Sequence, residues 1–92
     1  MDTREKILQC FINIGVVIDD SENDVDLKEY VSDSIQFVTA VVEIEREFSI
    51  EFPDDLLVFS VFDSLNGLVN IVDTLLMESN EVNINDDKVK EV

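Results

Sequence analysis

Apolar residues recur with the spacing of an α-helix in the segment 64–77, and this periodicity constrains the fold more than any other feature of the sequence. At about 100° per residue, apolar side chains fill one face of the segment and polar side chains fill the other. The apolar face contains Leu65, Leu68, Val69, Ile71, Val72, Leu75 and Leu76. We therefore predict an amphipathic helix over residues 64–77, with Asp63 or Ser64 as its N-cap.

Two earlier segments show the same spacing, and the first predicts a helix over residues 3–14. Gly15 follows it, at the place where a left-handed residue commonly ends a helix. Cys10 lies at the edge of the apolar stripe, and we expect it to pack as a small, inert residue. The stripe itself contains Ile7, Leu8, Phe11, Ile12 and Ile14.

The middle helix, predicted over residues 34–48, has two apolar sectors. Asp33 and Ser34 can cap its start. One sector is predicted to face the core and contains Phe37, Val41, Ile44 and Phe48. The other is rotated by about a third of a turn or more and contains Ile35, Val38 and Val42. This second sector either packs against another neighbour or is offered to a partner, and the pattern leaves both possibilities open.

The apolar run from Leu56 to Phe59 predicts a further short helix over residues 54–60. Alternation with a period of two, which indicates strands, is weak throughout the chain. The predicted fold is therefore all-α, a small four-helix bundle with a short third helix. Residues 1–78 form the predicted domain, and residues 79–92 are predicted to be a poorly ordered C-terminal tail.

The charge of the chain argues against several classes of function. Its 92 residues include 22 acidic and 6 basic side chains and no histidine, for a formal charge of -16. Without histidine, neither a Ser-His-Asp or Cys-His nucleophile nor an imidazole metal site can form. We therefore expect no catalytic residue, no metal site and no self-sufficient enzyme. The negative surface also argues against nucleic acids and anionic membranes as partners.

Other features of the composition bear on location. No apolar run approaches the roughly 18 residues that a membrane span needs, and the first residues lack the pattern of a signal peptide. A single cysteine cannot form a disulfide within the chain, which is typical of a reducing compartment. The acidic segment 19–26 does not fit a calcium loop, because a count from Asp20 places Val25 where the loop needs glycine. We expect a cytoplasmic protein.

Three features follow one another without a gap from residue 33 to residue 54. Asp33-Ser34-Ile35 opens the middle helix, the helix ends in the acidic run Glu43-Ile44-Glu45-Arg46-Glu47-Phe48, and the proline turn Ile50-Glu51-Phe52-Pro53-Asp54 follows. This succession resembles the acyl carrier protein family, in which an Asp-Ser-Leu motif opens the second of four helices. The flanking helices agree in placement, so the resemblance covers residues 3–78.

The resemblance implies that Ser34 receives a 4′-phosphopantetheine arm from coenzyme A, installed by a phosphopantetheinyl transferase, and that Asp33 is a recognition and capping residue. The thiol of the arm would hold an acyl, aminoacyl or peptidyl group as a thioester for delivery to partner enzymes. A helix N-terminus suits the phosphodiester, because unpaired N–H groups and the positive end of the helix dipole lie there. The alternative is that Asp33 and Ser34 only cap the helix.

A second motif, Asp63-Ser64-Leu65, opens the last helix. Capping explains it completely, and no acidic helix with a proline turn follows it. In the family it falls at the start of the fourth helix. We therefore predict that Ser64 is not the attachment site.

Two departures from the family pattern predict a divergent, stand-alone carrier. Val31 stands where family members usually have glycine, three positions before the modified serine, so the loop before Ser34 is expected to differ. The segment between Pro53 and the last helix is longer than in family members and unusually apolar. Its Leu57, Phe59 and Phe62 are expected to enlarge a pocket or a docking surface. Such a carrier would serve a specialised pathway, of the secondary-metabolite or peptide-maturation kind.

The middle helix carries the predicted partner surface. Glu43, Glu45 and Glu47 are expected to meet basic patches on loading and acyl-using enzymes, and Ile35 and Val42 to supply apolar contacts beside them. Brief docking steered by charge suits a monomeric carrier.

Two other classes of function stay open. Val31 supports a carrier-like fold that has lost the arm and acts only as an interaction module. The charge of -16 supports an acidic inhibitor or a DNA mimic, in which Asp33 and Ser34 would be incidental.

Overall fold

Three α-helices, joined by loops that contain short 3-10 turns, make up the fold. A computed structural model describes residues 2–90, with side chains as far as Glu78. The helices are α1 (Thr3–Asn13), α2 (Ser34–Phe48) and α3 (Leu65–Lys90), and α1 packs against both of the others. No strand occurs within residues 2–90, so the all-α class is confirmed for this part of the chain.

Local hydrogen bonds explain both ends of α1. Asp2 forms a capping box with Glu5, because each residue's carboxylate accepts a hydrogen bond from the other's N–H group. At the other end, Gly15 has a φ of 88°, which confirms the predicted left-handed residue. The N–H groups of Gly15 and Val16 donate back to carbonyls of the last helical turn, as in a Schellman motif.

The limits of α2 are also set locally. Asp33 is the N-cap, since its Oδ1 accepts a hydrogen bond from the N–H of Gln36 at 2.8 Å. The helix ends at Phe48 because Ser49 adopts the left-handed conformation, with φ 56° and ψ 47°. A right-handed helix cannot continue through such a residue.

The predicted short helix over residues 54–60 is absent. Two 3-10 turns, Asp54–Leu56 and Phe59–Phe62, stand in its place. Between them Val58 is extended, with φ -132° and ψ 150°, and this conformation interrupts helical hydrogen bonding. The count of four helices is therefore not confirmed, because the described residues form three α-helices and 3-10 turns.

The last helix is longer than predicted. It continues to Lys90, where the sequence predicted an end at Met77 and a poorly ordered tail over residues 79–92. After Gly67 the chain contains neither proline nor glycine, so no residue breaks the helical hydrogen bonding. The domain boundary at residue 78 stays a prediction, and the last two residues lie outside the described part. Within that part, no helix is both long enough and apolar enough to cross a membrane.

Buried apolar side chains from all three helices and from the loops form one core, and Phe62 lies at its centre. Phe62 is fully buried, and its ring makes edge contacts with the rings of Phe11 and Phe37, at centroid distances of 5.7 Å and 4.9 Å. The expectation that Phe62 enlarges a pocket or docking surface is therefore wrong. The second 3-10 turn directs this side chain inward between α1 and α2.

The contact between α1 and α2 differs in detail from the predicted stripes. Phe48 was predicted to be core but is only partly buried, with the ammonium of Lys6 5.8 Å from its ring centre. Ile12 is exposed. Cys10 and Ala40 are buried instead, as befits small side chains where two helices approach closely. The predicted packing role of Cys10 is thus confirmed.

Candidate functional site

Ser34 is the first residue of α2, and it is exposed. The side-chain cap at this end comes from Asp33, and the Ser34 hydroxyl makes no hydrogen bond within the described residues. The two residues therefore have different roles. Asp33 orders the end of the helix, and Ser34 presents a free hydroxyl there.

The backbone around Ser34 favours an anionic group. The first intrahelical bond of α2 runs from the N–H of Phe37 to the carbonyl of Asp33, at 3.0 Å. The N–H groups of Ser34 and Ile35 precede this bond, so they add to the partial positive charge of the helix N-terminus. A phosphodiester formed on the Ser34 hydroxyl would lie beside these groups.

The loop that leads to Ser34 is anchored without a glycine. Val31 is fully buried, and its N–H donates to the carbonyl of Leu27 at 3.0 Å. Among the described residues other than glycine, only Ser49 has a positive φ, so Val31 needs none of the freedom of glycine. At the position where the family usually has glycine, this chain therefore places a valine side chain in the core.

Ser64, the serine of the second motif, is engaged in structural hydrogen bonds. Its hydroxyl donates to the carboxylate of Asp24 at 2.6 Å and accepts from the N–H of Gly67 at 2.9 Å. The same carboxylate accepts the N–H of Asn66 at 2.9 Å. The hydrogen bond from the Ser64 hydroxyl, and to a smaller extent the one from the N–H of Asn66, hold the pKa of Asp24 below its ordinary value of 3.8. Ser64 caps α3 and fastens the acidic loop to it.

An apolar groove begins beside Ser34 and has a volume of about 360 Å³. One wall is α2, and the other is the segment that carries Leu57 and Phe59, so these two residues line a pocket as predicted. The rings of Phe37 and Phe59 meet across it, with centroids 5.0 Å apart. The remaining lining residues come from α2 and are Val38, Val41, Val42 and Glu45. Ser34 is thus continuous with an open apolar surface.

The second apolar sector of α2 is exposed. Ile35 is 79% exposed, Val38 55% and Val42 43%, and we call these three residues the α2 stripe. Within the described residues, no second helix covers the stripe. Of the two possibilities that the sequence left open, the structure therefore shows the exposed sector and not one packed against another helix. Ile35 and Val42 therefore share one open face with Ser34.

The three predicted acidic residues do not form one continuous rim. Glu43 Oε2 accepts a hydrogen bond from Asn13 Nδ2 at 3.0 Å, and Glu45 Oε2 accepts one from the N–H of Phe52 at 2.7 Å. Glu47 is exposed. Glu43 and Glu47 lie toward Cys10 of α1. Burial is the main cause that raises the pKa of the Cys10 thiol to about 11, and the negative charges of Glu47 and Glu43 raise it further. Glu45 therefore lies on the groove side of the α2 stripe, and Glu43 and Glu47 lie on the side toward α1.

Two residues of this face were not among the predicted partner contacts. Val38, which the sequence placed in the second sector, lines the groove. Arg46 is exposed in the last turn of α2, four residues after Val42. Residues four apart share a helix face, so this spacing could have placed Arg46 beside the stripe.

A small helical domain that presents a free serine hydroxyl at a helix N-terminus, beside an apolar groove, has the features of a carrier domain. The sequence matches the family model described as "Phosphopantetheine attachment site" over residues 5–72, which is 68 of the 92 residues. The chain therefore belongs to this family, whose domains bind 4′-phosphopantetheine covalently and are generally non-catalytic carriers. A search of curated proteins and a search of solved structures find no match.

Proposed function

We propose that Ser34 carries the 4′-phosphopantetheine arm and that the protein is an acyl, aminoacyl or peptidyl carrier. The observation that carries this proposal is the free hydroxyl of Ser34, exposed at the start of α2 and next to the groove. When bound, the arm supplies a thiol on which cargo is held as a thioester. Asp33 orders the backbone at the attachment point, through its capping bond to Gln36.

Ser64 is a poorer candidate, although its local sequence is nearly the same. Its oxygen already donates to Asp24 and accepts from Gly67, so attachment of an arm would break the bond that fastens the acidic loop to α3. Ser34 loses no hydrogen bond on attachment. This difference between the two hydroxyls supports Ser34.

The groove offers the arm an apolar surface to rest on. It runs from Ser34 along α2 and is lined by aromatic and aliphatic side chains on both walls. An arm held there would shield its cargo from water until a partner enzyme docks. This arrangement suits a protein that performs no chemistry alone and delivers its cargo to enzymes.

We further propose that partners dock on α2. The exposed stripe supplies apolar contact, and Glu43, Glu45 and Glu47 supply the negative field that steers basic patches of the partner toward it. The partners are a phosphopantetheinyl transferase and the enzymes that load and use the cargo, in a specialised cytoplasmic pathway. Transient docking of this kind requires only a monomeric carrier.

The buried Val31 supports this proposal over an interaction module without an arm. The main reason to doubt modification was the valine at the usual glycine position. Because Val31 anchors the loop in the core with an ordinary backbone conformation, Ser34 is still held at the start of α2.

The test is intact mass after incubation with coenzyme A and a broad-specificity phosphopantetheinyl transferase. We expect one phosphopantetheinyl group to be added to the wild-type protein and none to Ser34→Ala. Ser64→Ala should still gain the group, as should Ser32→Ala, a control two residues from the site. Lack of any mass gain with several transferases would favour the arm-less module. A gain that survives in Ser34→Ala would overturn the assignment of the site.

A further inference from the structure

Arg46 is an exposed cation without an ion pair in the described residues, and it lies between Glu45 and Glu47 in the sequence. Within the part of the chain whose side chains are described, the ion pair is between Lys28 and Asp63, and none involves Arg46. The carboxylate nearest to it in helical spacing, that of Glu43, is turned toward Asn13. The charge of Arg46 is therefore left to solvent.

The position of Arg46 places it in line with the α2 stripe. It follows Val42 by four residues and Ile35 by eleven, which is about three helical turns, so the three side chains share one face. Arg46 therefore ends the stripe on the side away from Ser34.

An enzyme that acts on Ser34 and uses the stripe reaches Arg46. Twelve residues of helix separate Ser34 from Arg46, a distance of about 18 Å. A standard interface covers about 800 Å² on each partner, a patch roughly 30 Å across. A footprint that begins at Ser34 and follows the stripe thus includes the guanidinium.

A partner that covers the guanidinium of Arg46 must supply it with an anionic group. A guanidinium removed from water without an anionic partner is strongly unfavourable, and a basic surface placed over it adds repulsion. A carboxylate pairs with it through two parallel hydrogen bonds. We propose that the enzymes that dock on the α2 stripe, including the phosphopantetheinyl transferase, place a carboxylate opposite Arg46, so that their docking surface is of mixed sign rather than uniformly basic.

This inference rests on the proposed docking on α2, and its test uses the transferase as the probe. The dissociation constant of the transferase for the protein is measured without coenzyme A, so that docking is observed without transfer of the arm. The variants are Arg46→Glu, Arg46→Gln and Arg46→Lys. A control with Gln9→Glu and Asn70→Glu lowers the net charge from -16 to -18, as Arg46→Glu does, at exposed positions of α1 and α3.

We expect Arg46→Glu to weaken docking about tenfold at low salt and Arg46→Gln to weaken it a few-fold, with both effects smaller at high salt. Arg46→Lys should dock more tightly than Arg46→Gln and less tightly than wild type, because lysine keeps the charge but cannot form the two parallel hydrogen bonds of a guanidinium. A role limited to the dipole of α2 would lower the melting temperature of Arg46→Gln and leave its dissociation constant unchanged, and this result would overturn the inference. Tighter docking by Arg46→Glu than by the control would show a uniformly basic partner and would overturn it as well. Failure of the proposed function is seen separately, as the absence of a mass gain on Ser34.

Discussion

Replacing Ile35 with arginine should damage docking and leave the fold nearly unchanged. Ile35 is 79% exposed, so only about a fifth of its side chain is buried by folding. Complete burial of an isoleucine contributes about 1.5–3 kcal/mol, so Ile35→Arg should cost about 0.5 kcal/mol or less in the free energy of unfolding. The remaining surface of the side chain is available to a partner.

The expected effect on docking follows from that remaining surface. If a partner covers most of Ile35, its loss removes about 1–2.5 kcal/mol of apolar contact, which corresponds to a rise of about 5-fold to 70-fold in the KM for transfer of the arm. The added positive charge also opposes basic groups of the partner. The assay is the initial rate of phosphopantetheine transfer at varied carrier concentration, beside urea unfolding of the same preparation.

Phe62→Ala supplies the contrast of a core position. Phe62 is fully buried and contacts two aromatic rings, so its truncation should cost about 3–5 kcal/mol. That loss corresponds to a drop of about 2–4 M in the urea midpoint of a domain this small. If Ile35→Arg lowers the midpoint as far as Phe62→Ala does, the stripe is buried and the docking surface is wrong.

Four further outcomes are expected. Phe48→Ala should cost about 1–3 kcal/mol, less than Phe62→Ala, because its ring is only partly buried; equal urea midpoints would contradict this. Added salt should raise the melting temperature, because a net charge of -16 repels itself; a flat response to salt would mean that the charges are too dispersed, or too well paired, to matter. Asp24 has a lowered pKa, so its contribution to stability is present above the ordinary value of 3.8 and is lost as pH falls through the folded pKa. The difference in melting temperature between wild type and Asp24→Asn should accordingly be largest above about pH 5 and shrink in acid, and a constant difference would refute the role of this carboxylate. Cys10 is buried with a pKa of about 11 against an ordinary 9.0, so the folded protein should react with iodoacetamide about 100-fold more slowly than the unfolded chain at the same pH; labelling at the same rate in both states would show an accessible thiol.

Most of the helical structure could be predicted because the signals that define it are local. The ends of α1 and α2 depend on residues within one turn of each end, such as Gly15 and Asp33. The apolar face of α3 repeats over several turns, so the helix could be recognised from periodicity alone. In each case the interacting residues are close together in the sequence.

The segment between α2 and α3 could not be predicted in this way. The run from Leu56 to Phe59 is compatible with a short helix, but Phe59 packs against Phe37 at the groove while Phe62 enters the core. Both rings contact Phe37, at centroid distances of 5.0 Å and 4.9 Å, and the extended Val58 separates the turn that carries them from the turn before it. The same dependence on distant neighbours left Phe48 partly exposed, although its position on the α2 wheel is that of a core residue.

The sequence by itself determined that the chain is helical and strongly acidic, and that its serine motif resembles that of a carrier. It could not tell from capping chemistry which of two similar motifs leaves a free hydroxyl, because Asp33-Ser34 and Asp63-Ser64 can both cap a helix. Only the tertiary structure decided this, since Asp24 lies forty residues before Ser64 and accepts a hydrogen bond from its hydroxyl, whereas nothing in the described residues engages Ser34. The same holds for Glu43 and Glu45, whose partners are brought to them by the packing of α1 and by the turn after α2. Hydrogen-bond partners far apart in the sequence are chosen by the fold, and local periodicity carries no information about them.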